Sequence, residues 1–479
     1  MENIALATIL VPFAGAALVL LSPQGAAKWI ATLFAALASI GTVLLASSFA
    51  SAGWVSHTFD VLALGNMTLL GLTVDRLSTL VAIAVVVLGF LVVVYSTAYM
   101  SESNREHPHV AKPRYYAYLL VFIGAMAGLV LSSTLVGQLI FFEITGACSW
   151  GLIGYYQKPK ALKSALKALL ITHIAALGLY VAAGYLFAHT GTFALTALAA
   201  LPDSAKTVVF LGIMVAAWGK SAQLPLHMWL PDAMEAPTPV SAYLHAASMV
   251  KVGVYIFARA IFSAGAVPEV IGWVGSIMAL ITMLYGFAMY LPQKDMKRLL
   301  AYSTIAQLSY IFLGLSLSIF GSKVAFNGAV AHIFNHAFAK SLFFLVAGAL
   351  SQTCGTRMLP QIRGLLKGSP LLGICFCVAA LAISGVPPFN GFFSKFAILA
   401  SGFELTREHL LLLPLIVLAL IESVASFAWL MSWFGKTVPG EPSEVVAKAA
   451  PVPLAMQFVL ITLVIMCVCS SFIAASWLG

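Results

Sequence analysis

Charged residues are scarce in this chain of 479 residues: Asp, Glu, Lys and Arg make up 9% of it, whereas 61% is apolar. A soluble domain typically contains about 25% charged residues. So few charges cannot cover a surface that faces water, which excludes a soluble enzyme, a nucleic-acid-binding protein and a disordered scaffold. The composition predicts an all-α polytopic membrane protein that has the lipid bilayer as its main surroundings and no nucleic-acid partner.

Cysteines are also few, and none of the six belongs to a C-x-x-C motif. Cys375 and Cys377 are two residues apart within an apolar run, as are Cys467 and Cys469. Residues two apart on a helix point to different sides. Neither pair can therefore clamp a metal ion, which argues against a zinc or iron–sulfur site. The cysteines are predicted to be structural, and the chain is predicted to bind no metal and no cofactor.

Long apolar runs dominate what is present. A transmembrane helix needs about 20 mainly apolar residues. Fourteen such spans can be traced, centred near residues 12, 40, 85, 122, 143, 177, 214, 248, 280, 308, 338, 384, 420 and 465. The residues before the first run lack the basic region of a secretory signal, so this run is predicted to be a transmembrane helix. The stretch from Gly53 to Thr73 has mixed polarity and predicts a surface hairpin or loop.

The loops between the spans carry an uneven share of Lys and Arg. Fourteen spans place both termini on one side, where the loops contain only Lys206, Lys323 and Arg407. The loops on the other side contain fifteen basic residues: Lys28, Arg105, Lys112, Arg114, Lys158, Lys160, Lys163, Lys294, Lys297, Arg298, Arg357, Arg363, Lys367, Lys436 and Lys448. Loops rich in Lys and Arg remain in the cytoplasm. The chain is therefore predicted to lie in a bacterial inner membrane with both termini in the periplasm.

Several ionisable residues fall inside the spans, where a charge costs about 2.5–3.5 kcal/mol at the bilayer centre. Glu143 and Lys251 lie near the middle of their apolar runs. Both are therefore predicted to be functional. Lys163, Lys167 and Arg259 lie closer to the ends of spans and are predicted to extend towards the lipid headgroups.

A set of titratable residues repeats along the eleventh span. His332, His336 and Lys340 are spaced four residues apart, which places them on one helix face. Three such groups in register favour a chain of proton sites. His173 and His245 are single histidines within spans, for which a structural hydrogen bond and a proton site remain open alternatives.

Two spans contain helix breakers close to a lysine. Lys220 precedes Pro225 in the seventh span, and Lys395 follows Pro387 and Pro388 in the twelfth. Proline frees backbone carbonyls, and within a membrane these must meet protein or water. Each break is therefore predicted to border a wet cavity, although an ordinary proline kink remains an alternative. Breaks five spans apart fit two inverted five-helix repeats, spans four to eight and nine to thirteen.

The whole chain, 1–479, is predicted to form a single membrane domain, because no polar segment is long enough to fold alone. The expected parts are the first three helices at 1–110, the first repeat at 111–265, the inverted second repeat at 266–436 and the last helix at 437–479.

Four motifs between about Tyr115 and Ala400 carry a family resemblance. They are KSAQLPLHMWLPDAMEAPTPVSAYLHAASMVKVGVY, DMKRLLAYSTIAQLSY, HIFNHAFAKSLFFLVAG and SGVPPFNGFFSK. This run resembles the antiporter-like proton-translocating subunits of respiratory complex I, Mrp-type cation/proton antiporters and membrane-bound group 4 [NiFe] hydrogenases. The resemblance implies fourteen transmembrane helices, two inverted five-helix repeats, and broken seventh and twelfth helices.

The resemblance also implies a set of proton-translocating residues. They are Glu143 on the fifth helix, Lys220 on the seventh, Lys251 on the eighth, His332, His336 and Lys340 on the eleventh, and Lys395 on the twelfth. His245 is implied as an accessory residue beside Lys251. Glu422 lies outside the family's standard set and is kept as a second accessory candidate.

The function that follows is proton movement through a buried Glu/Lys/His relay in the membrane arm of a redox-driven complex, with no chemistry on a substrate. The length and the opening residues MENIALATILVPFAGA are most similar to component D of hydrogenase-4, a formate hydrogenlyase complex. Its implied partners are other antiporter-like membrane subunits and a peripheral hydrogenase arm. The alternatives are a subunit of an Mrp-type sodium/proton antiporter and a non-pumping structural spacer.

The predicted orientation can be tested with reporter fusions at Gly479. A reporter that is active only in the periplasm should be active there, because the basic loops lie on the opposite side of the membrane. A reporter that is active only in the cytoplasm, fused at the same residue, should be silent. Strong cytoplasmic activity would contradict the orientation and the even number of spans.

Overall fold

The computed structural model describes residues 1–65 and 67–479. Most of these residues are helical. The helices are α1 (Glu2–Leu21), α2 (Gln24–Ser51), α3 (Arg76–Tyr99), α4 (Pro113–Leu131), α5 (Leu135–Ile153), α6 (Pro159–Thr190), α7 (Asp203–Lys220), α8 (Trp229–Asp232), α9 (Thr238–Ala246), α10 (Met249–Ala264), α11 (Glu269–Tyr290), α12 (Met296–Ser318), α13 (Lys323–Cys354), α14 (Leu365–Gly368), α15 (Pro370–Ser384), α16 (Asn390–Leu405), α17 (Leu412–Thr437), α18 (Glu444–Ala447) and α19 (Leu454–Leu478). The strands are β1 (His57–Leu64) and β2 (Met67–Val74).

Twelve helical segments in the described part of the chain are long and apolar enough to cross a membrane, with α9 and α10 counted as one segment. The predicted all-helical, multi-pass membrane fold is therefore confirmed. The predicted seventh and twelfth spans are absent from these twelve. The 18 residues of α7 include three charged ones, Asp203, Lys206 and Lys220, and the twelfth span is interrupted. The seventh is represented by α7, which ends at Lys220, and the twelfth is divided into α15 and α16. The count of fourteen spans stays a prediction, as do the inverted repeats.

The stretch predicted as a surface hairpin or loop is an antiparallel hairpin of β1 and β2. The hairpin leads directly into α3. Asp75 caps the first turn of this helix, because its carboxylate accepts a hydrogen bond from the Ser78 amide at 2.8 Å. Such a cap satisfies backbone donors that a helix leaves free at its start. Arg76 donates to the backbone oxygen of Gly479, so the hairpin and the C-terminus lie at the same end of the molecule.

The centre of the molecule is formed by α12 and α13, whose apolar windows are fully buried. α13 packs against α3, α9, α12, α15, α16 and α19. A helix that is enclosed on all sides shows no single polar face, and its polar side chains must find partners inside the protein. His332, His336 and Lys340 of α13 are therefore held away from both lipid and bulk water.

The break after α7 is closed by hydrogen bonds from neighbouring segments. The indole of Trp229 donates to the carbonyl oxygen of Gly219 at 2.9 Å, and the amide of Leu224 donates to the Thr282 hydroxyl at 3.3 Å. In the second interrupted span, α15 ends at Ser384 and is followed by Gly385, which has φ +81°. Glycine adopts this left-handed conformation without strain. Both predicted breaks are confirmed as interruptions of the helices beside Lys220 and Lys395.

The start of α16 is fixed by a buried network of amides and hydroxyls. Asn390 donates to the carbonyl oxygen of Asn335 on α13 at 2.9 Å, and Asn335 donates to the carbonyl oxygen of Asn390 at 3.0 Å. Ser470 and Ser471 on α19 complete the network, with hydrogen bonds of 2.8–3.0 Å. The restart of the twelfth span is therefore attached to both the central helix and the last helix.

A third interruption was not predicted. The eighth span divides into α9 and α10, and Ser248 between them donates to the carbonyl oxygen of Tyr243 at 2.9 Å. Lys251 lies in the first turn of α10. Neither proline nor glycine stands at this point of the sequence, so the usual signals of a break are missing. Each of three lysines, Lys220, Lys251 and Lys395, thus lies close to an interrupted helix.

Cysteines introduced at the two predicted breaks should react with a small water-soluble thiol reagent, because the freed carbonyls need polar surroundings. The positions are Leu226 and Phe389, both partly exposed. A cysteine at Leu308, which is fully buried in α12, is the matched control and should stay unreactive. The experiment uses the assembled complex, and inert cysteines at both breaks would show that these are dry kinks.

Candidate functional site

The predicted residues of the eleventh span share one buried face of α13. His332, His336 and Lys340 are almost fully buried, and the ring centroids of the two histidines are 6.0 Å apart. Nδ1 of His336 lies 2.9 Å from Nζ of Lys251 on α10. Nζ of Lys340 donates to the Ser303 hydroxyl at 2.7 Å. The predicted common face is confirmed, and the structure adds a direct contact to the eighth-span lysine.

The same face reaches the twelfth span through His332. Its Nδ1 lies 2.8 Å from the hydroxyl of Ser394 on α16, and its Nε2 lies 3.3 Å from the side-chain oxygen of Gln307 on α12. Ser394 precedes Lys395 in the chain. His332 therefore stands between the Lys251–His336 contact and the region of Lys395.

Lys395 is buried, and its amine has no hydrogen-bond partner among the described residues. Its Nζ lies over the ring of Tyr310, 4.6 Å from the centroid. The Tyr310 hydroxyl donates to the carboxylate of Glu422 at 2.7 Å, and Ser426 donates to the same carboxylate. Tyr310 thus bridges Lys395 and Glu422. A cavity of about 290 Å³ adjoins Lys395 at the break, lined by residues that include Ser384, Gly385 and Ser423.

Lys220 belongs to a separate cluster at the interface of α5, α6 and α7. Its amine is buried, donates to the Thr145 hydroxyl at 3.2 Å and lies 4.4 Å from the centroid of the Phe142 ring. Glu143 pairs with His173 Nδ1 at 3.1 Å. The side chain of Glu143 is 28% exposed and that of His173 is 55% exposed. The fifth-span glutamate is therefore held by His173 on the outer side of the helix, while Lys220 faces inward.

Polar side chains at the break after α7 connect neighbouring helices near Lys220. Ser221 donates to the carbonyl oxygen of Val250 at 2.8 Å, which joins this break to the first turn of α10. Gln223 donates to the carbonyl oxygen of Ser221 and accepts from the hydroxyl of Ser309 on α12 at 2.8 Å. These bonds link the Lys220 end of α7 to the helices that carry Lys251 and Gln307.

His245 lies in the last turn of α9, next to the unpredicted interruption. It is fully buried, and neither ring nitrogen has a hydrogen-bond partner among the described residues. Its ring packs against Phe344 of α13 at a centroid distance of 4.8 Å. The structure places this accessory candidate against α13, and among the described residues it forms no hydrogen bond with the other predicted site residues.

Three basic residues lie elsewhere than predicted. Lys206 and Lys297 are among the predicted loop charges, but both are buried and donate to backbone carbonyl oxygens at 2.7–2.9 Å. Arg259 is predicted to extend towards headgroups, but it is buried against Asp75. These predictions are wrong for the same reason. Acceptors from distant parts of the chain surround each side chain, and the sequence gives no signal for such contacts.

The described residues include no group of three or more His, Cys, Asp or Glu side chains suited to hold a metal ion. The paired histidines His332 and His336 bind Lys251, Ser394 and Gln307 instead. The arrangement is therefore suited to transfer of protons between side chains. The absence of a metal ion and of a cofactor stays a prediction.

Comparisons with known proteins identify relatives of the chain. Residues 132–422 match the family described as "NADH:quinone oxidoreductase/Mrp antiporter, TM". Residues 63–112 match "NADH-Ubiquinone oxidoreductase (complex I), chain 5 N-terminus". The first match alone spans more than half of the chain and contains all seven residues of the predicted relay.

Individual relatives are components of antiporters. The chain is 36% identical over 432 residues to an Na(+)/H(+) antiporter subunit of Alkalihalophilus pseudofirmus, covering 84% of this chain and 52% of the relative. It is 37% identical over 407 residues to a probable K(+)/H(+) antiporter subunit of Rhizobium meliloti, covering 83% and 39%. A solved Mrp complex from Dietzia sp. DQ12-45-1b matches with a TM-score of 0.87 and 28% identity, covering 99% of this chain and 51% of that chain. The chain thus spans about half the length of most of these relatives.

Gly146 offers a test of the position of Lys220. A Cβ atom at Gly146 would lie 3.3 Å from Nζ of Lys220, so Gly146→Ala should push the amine away from Thr145 and reduce ion transport several-fold. The measurement is the rate of pH change in membrane vesicles that contain the assembled complex.

The matched control is Gly184→Ala, because a Cβ there meets no atom within 4 Å. Alanine in a helix interior is normally neutral or stabilising by roughly 0.5–1 kcal/mol. Equal transport by the two variants would show that the placement of the Lys220 amine does not matter.

Proposed function

The chain belongs to the family of membrane subunits that NADH:quinone oxidoreductase and Mrp antiporters share, and from this premise we propose that it moves protons in exchange for a monovalent cation within an Mrp-type antiporter. The named Na⁺/H⁺ and K⁺/H⁺ antiporter relatives support this function. They give no support to component D of hydrogenase-4, which the opening residues favoured, and none to a peripheral hydrogenase arm.

A buried row of ionisable and hydroxyl groups that extends from the eighth span to the twelfth is the observation that carries the proposal. Lys251 contacts His336, and His332 contacts Ser394, which precedes Lys395. A charge inside a membrane costs about 2.5–3.5 kcal/mol on insertion scales. A structural spacer has no use for so many costly groups in register. We infer that protons pass along this row between the interrupted eighth and twelfth spans.

Lys220 and Glu143 form the proposed control point of the first half. Two unit charges about 4 Å apart interact by about 4 kcal/mol at an effective dielectric constant of about 20. Moving one charge against a 100 mV potential costs about 2.3 kcal/mol. Movement of Glu143 between His173 and Lys220 would therefore supply enough energy to retain or release one proton. The structure corresponds to the state in which Glu143 is held by His173.

The predicted division of the chain is part of the proposal. The segment 111–265 would supply Glu143, Lys220 and Lys251, and the segment 266–436 would supply the α13 residues, Lys395 and Glu422. Glu422 is proposed as the carboxylate that serves Lys395 through Tyr310, as Glu143 serves Lys220.

Other antiporter-like membrane subunits are the proposed partners. The partly exposed pair of Glu143 and His173 supports this, because ionisable side chains on the outer face of a membrane protein are unfavourable against lipid. A neighbouring subunit that covers α5 and α6 would remove them from the acyl chains. The proposed location is the bacterial inner membrane, with both termini in the periplasm.

Substitution of Lys220 tests the proposed relay. Lys220→Ala should abolish cation-dependent proton movement in vesicles that contain the assembled complex, because it removes the titrating group. Lys220→Arg should also reduce it strongly, because arginine keeps the charge but does not release its proton. Glu143→Gln should weaken exchange while preserving shape.

The control is Lys206→Met. Lys206 is also a buried lysine, but it donates to the carbonyl oxygen of Ala266 outside the relay, so exchange should be retained in complexes that assemble. Wild-type exchange by Lys220→Arg would contradict the role of Lys220. Purification of the native complex with a [NiFe] hydrogenase and no antiporter subunits would contradict the Mrp assignment.

A further inference from the structure

A buried ion pair joins the eighth span to the start of the third. Arg259 on α10 contacts both carboxylate oxygens of Asp75, at 2.5 and 2.9 Å. The guanidinium also donates to the Tyr255 hydroxyl at 2.9 and 3.2 Å. Tyr255 in turn donates to the carbonyl oxygen of Val130. The two charges and the tyrosine hydroxyl are thus engaged with one another, and the predicted relay does not use any of them.

A cavity of about 270 Å³ ends on this pair. Asp75 and Arg259 form part of its wall. Most of the other lining residues are Ser and Thr, which belong to four parts of the chain: the hairpin, the start of α5, the segment after α6 and the end of α10. Hydroxyl groups and carboxylates favour water over lipid. The hairpin lies at the same end of the molecule as Gly479, so the cavity lies on the terminal side of the membrane.

The register of α10 aligns the ion pair with the relay. Lys251, Tyr255 and Arg259 are spaced four residues apart, and residues at this spacing are neighbours on one helix face. Phe262 continues the face into the cavity. At the other end of the face, Lys251 contacts His336. One face of α10 therefore runs from the hydroxyl-lined cavity to the centre of the proton relay.

We propose that the cavity beneath the hairpin is the terminal-side mouth of a proton route that follows α10 to Lys251, and that the ion pair of Asp75 and Arg259 closes its inner end. The proton route rests on the proposed function. The closure of the cavity by the pair does not, because it concerns access of water alone.

The physical basis of closure is the cost of separating the two charges. An intact bidentate pair needs no water, because each charge is already satisfied by its partner. Removing one partner leaves the other charge buried and uncompensated, which is strongly unfavourable unless water enters. Water at Arg259 would lie next to the Tyr255 hydroxyl, and Tyr255 is one helical turn from Lys251 on the same face of α10.

Access of water can be measured with a cysteine at Ala258, which is fully buried and adjoins Arg259 on the Lys251 side. The assembled complex, with the six native cysteines of this chain replaced, is treated with a membrane-impermeant cationic methanethiosulfonate from the side of the C-terminus. Ala258→Cys alone should react slowly. Adding Asp75→Asn should raise the rate about tenfold or more, because the unpaired Arg259 shifts the cavity towards hydrated, open states.

Two further variants separate opening from misfolding. The asparagine of Asp75→Asn keeps a side-chain oxygen that can cap α3. Combining Asp75→Asn with Arg259→Gln removes both charges and should return the labelling rate to the slow value. If Asp75→Asn fails to assemble, Arg259→Lys retains the charge without the two-point contact and should give intermediate labelling. A cysteine at Ala301, buried in α12 away from the cavity, should remain unreactive in every background.

Passive proton influx into proteoliposomes under an imposed pH gradient, without transported cations, tests the route. Asp75→Asn should increase this leak several-fold, and the addition of Lys251→Met should remove the increase. A leak that persists without Lys251 would overturn the route along α10. Rapid labelling at position 258 with the pair intact, or equal labelling with and without it, would overturn the closure. If the labelling rates are as expected but the complex exchanges no ions, the proposed function is refuted and the proposed closure by the ion pair is retained.

Discussion

The centre of a bilayer contains no water, so every charge and every freed backbone group inside it must be met by the protein itself. The interrupted helices of this chain obey that constraint in detail. An indole covers a free carbonyl after α7, a serine hydroxyl covers one between α9 and α10, and reciprocal asparagine amides support the start of α16. Each of these three sets of hydrogen bonds places polar side chains close to a lysine, so that the lysine has neighbours other than lipid.

The buried lysines are met mainly by neutral groups. Lys251 faces an imidazole, Lys340 and Lys220 face hydroxyls, and Lys395 faces an aromatic ring. The nearest carboxylates are held by other side chains: Glu143 pairs with His173, and Glu422 accepts a hydrogen bond from Tyr310. Because like charges repel strongly where the dielectric is low, a proton on one amine opposes a second proton nearby. The bidentate pair of Asp75 and Arg259 differs from the lysines of the proposed relay, because each of its two charges directly contacts an opposite charge.

Sequence reasoning succeeded where the signal is local. The apolar runs, the hairpin before α3, the two proline-marked breaks and the common face of His332, His336 and Lys340 all follow from spacing or composition. It failed where a contact joins distant segments. Nothing near Arg259 in the sequence points to Asp75, and nothing near Glu143 points to His173. The interruption beside Lys251 was missed for a different reason: a local hydrogen bond from Ser248 to the Tyr243 carbonyl oxygen closes the end of α9, and neither proline nor glycine marks it.

The network at the start of α16 has a consequence for synthesis of the protein. Two of its four side chains, Ser470 and Ser471, belong to α19, which the ribosome makes more than 60 residues after Asn390. Until α19 has entered the membrane, the two asparagines lack these hydroxyl partners, and the twelfth span cannot reach its final form. Maturation of the region around Lys395 therefore waits for the last helix, so a partly made chain lacks the final form of this end of the proposed relay.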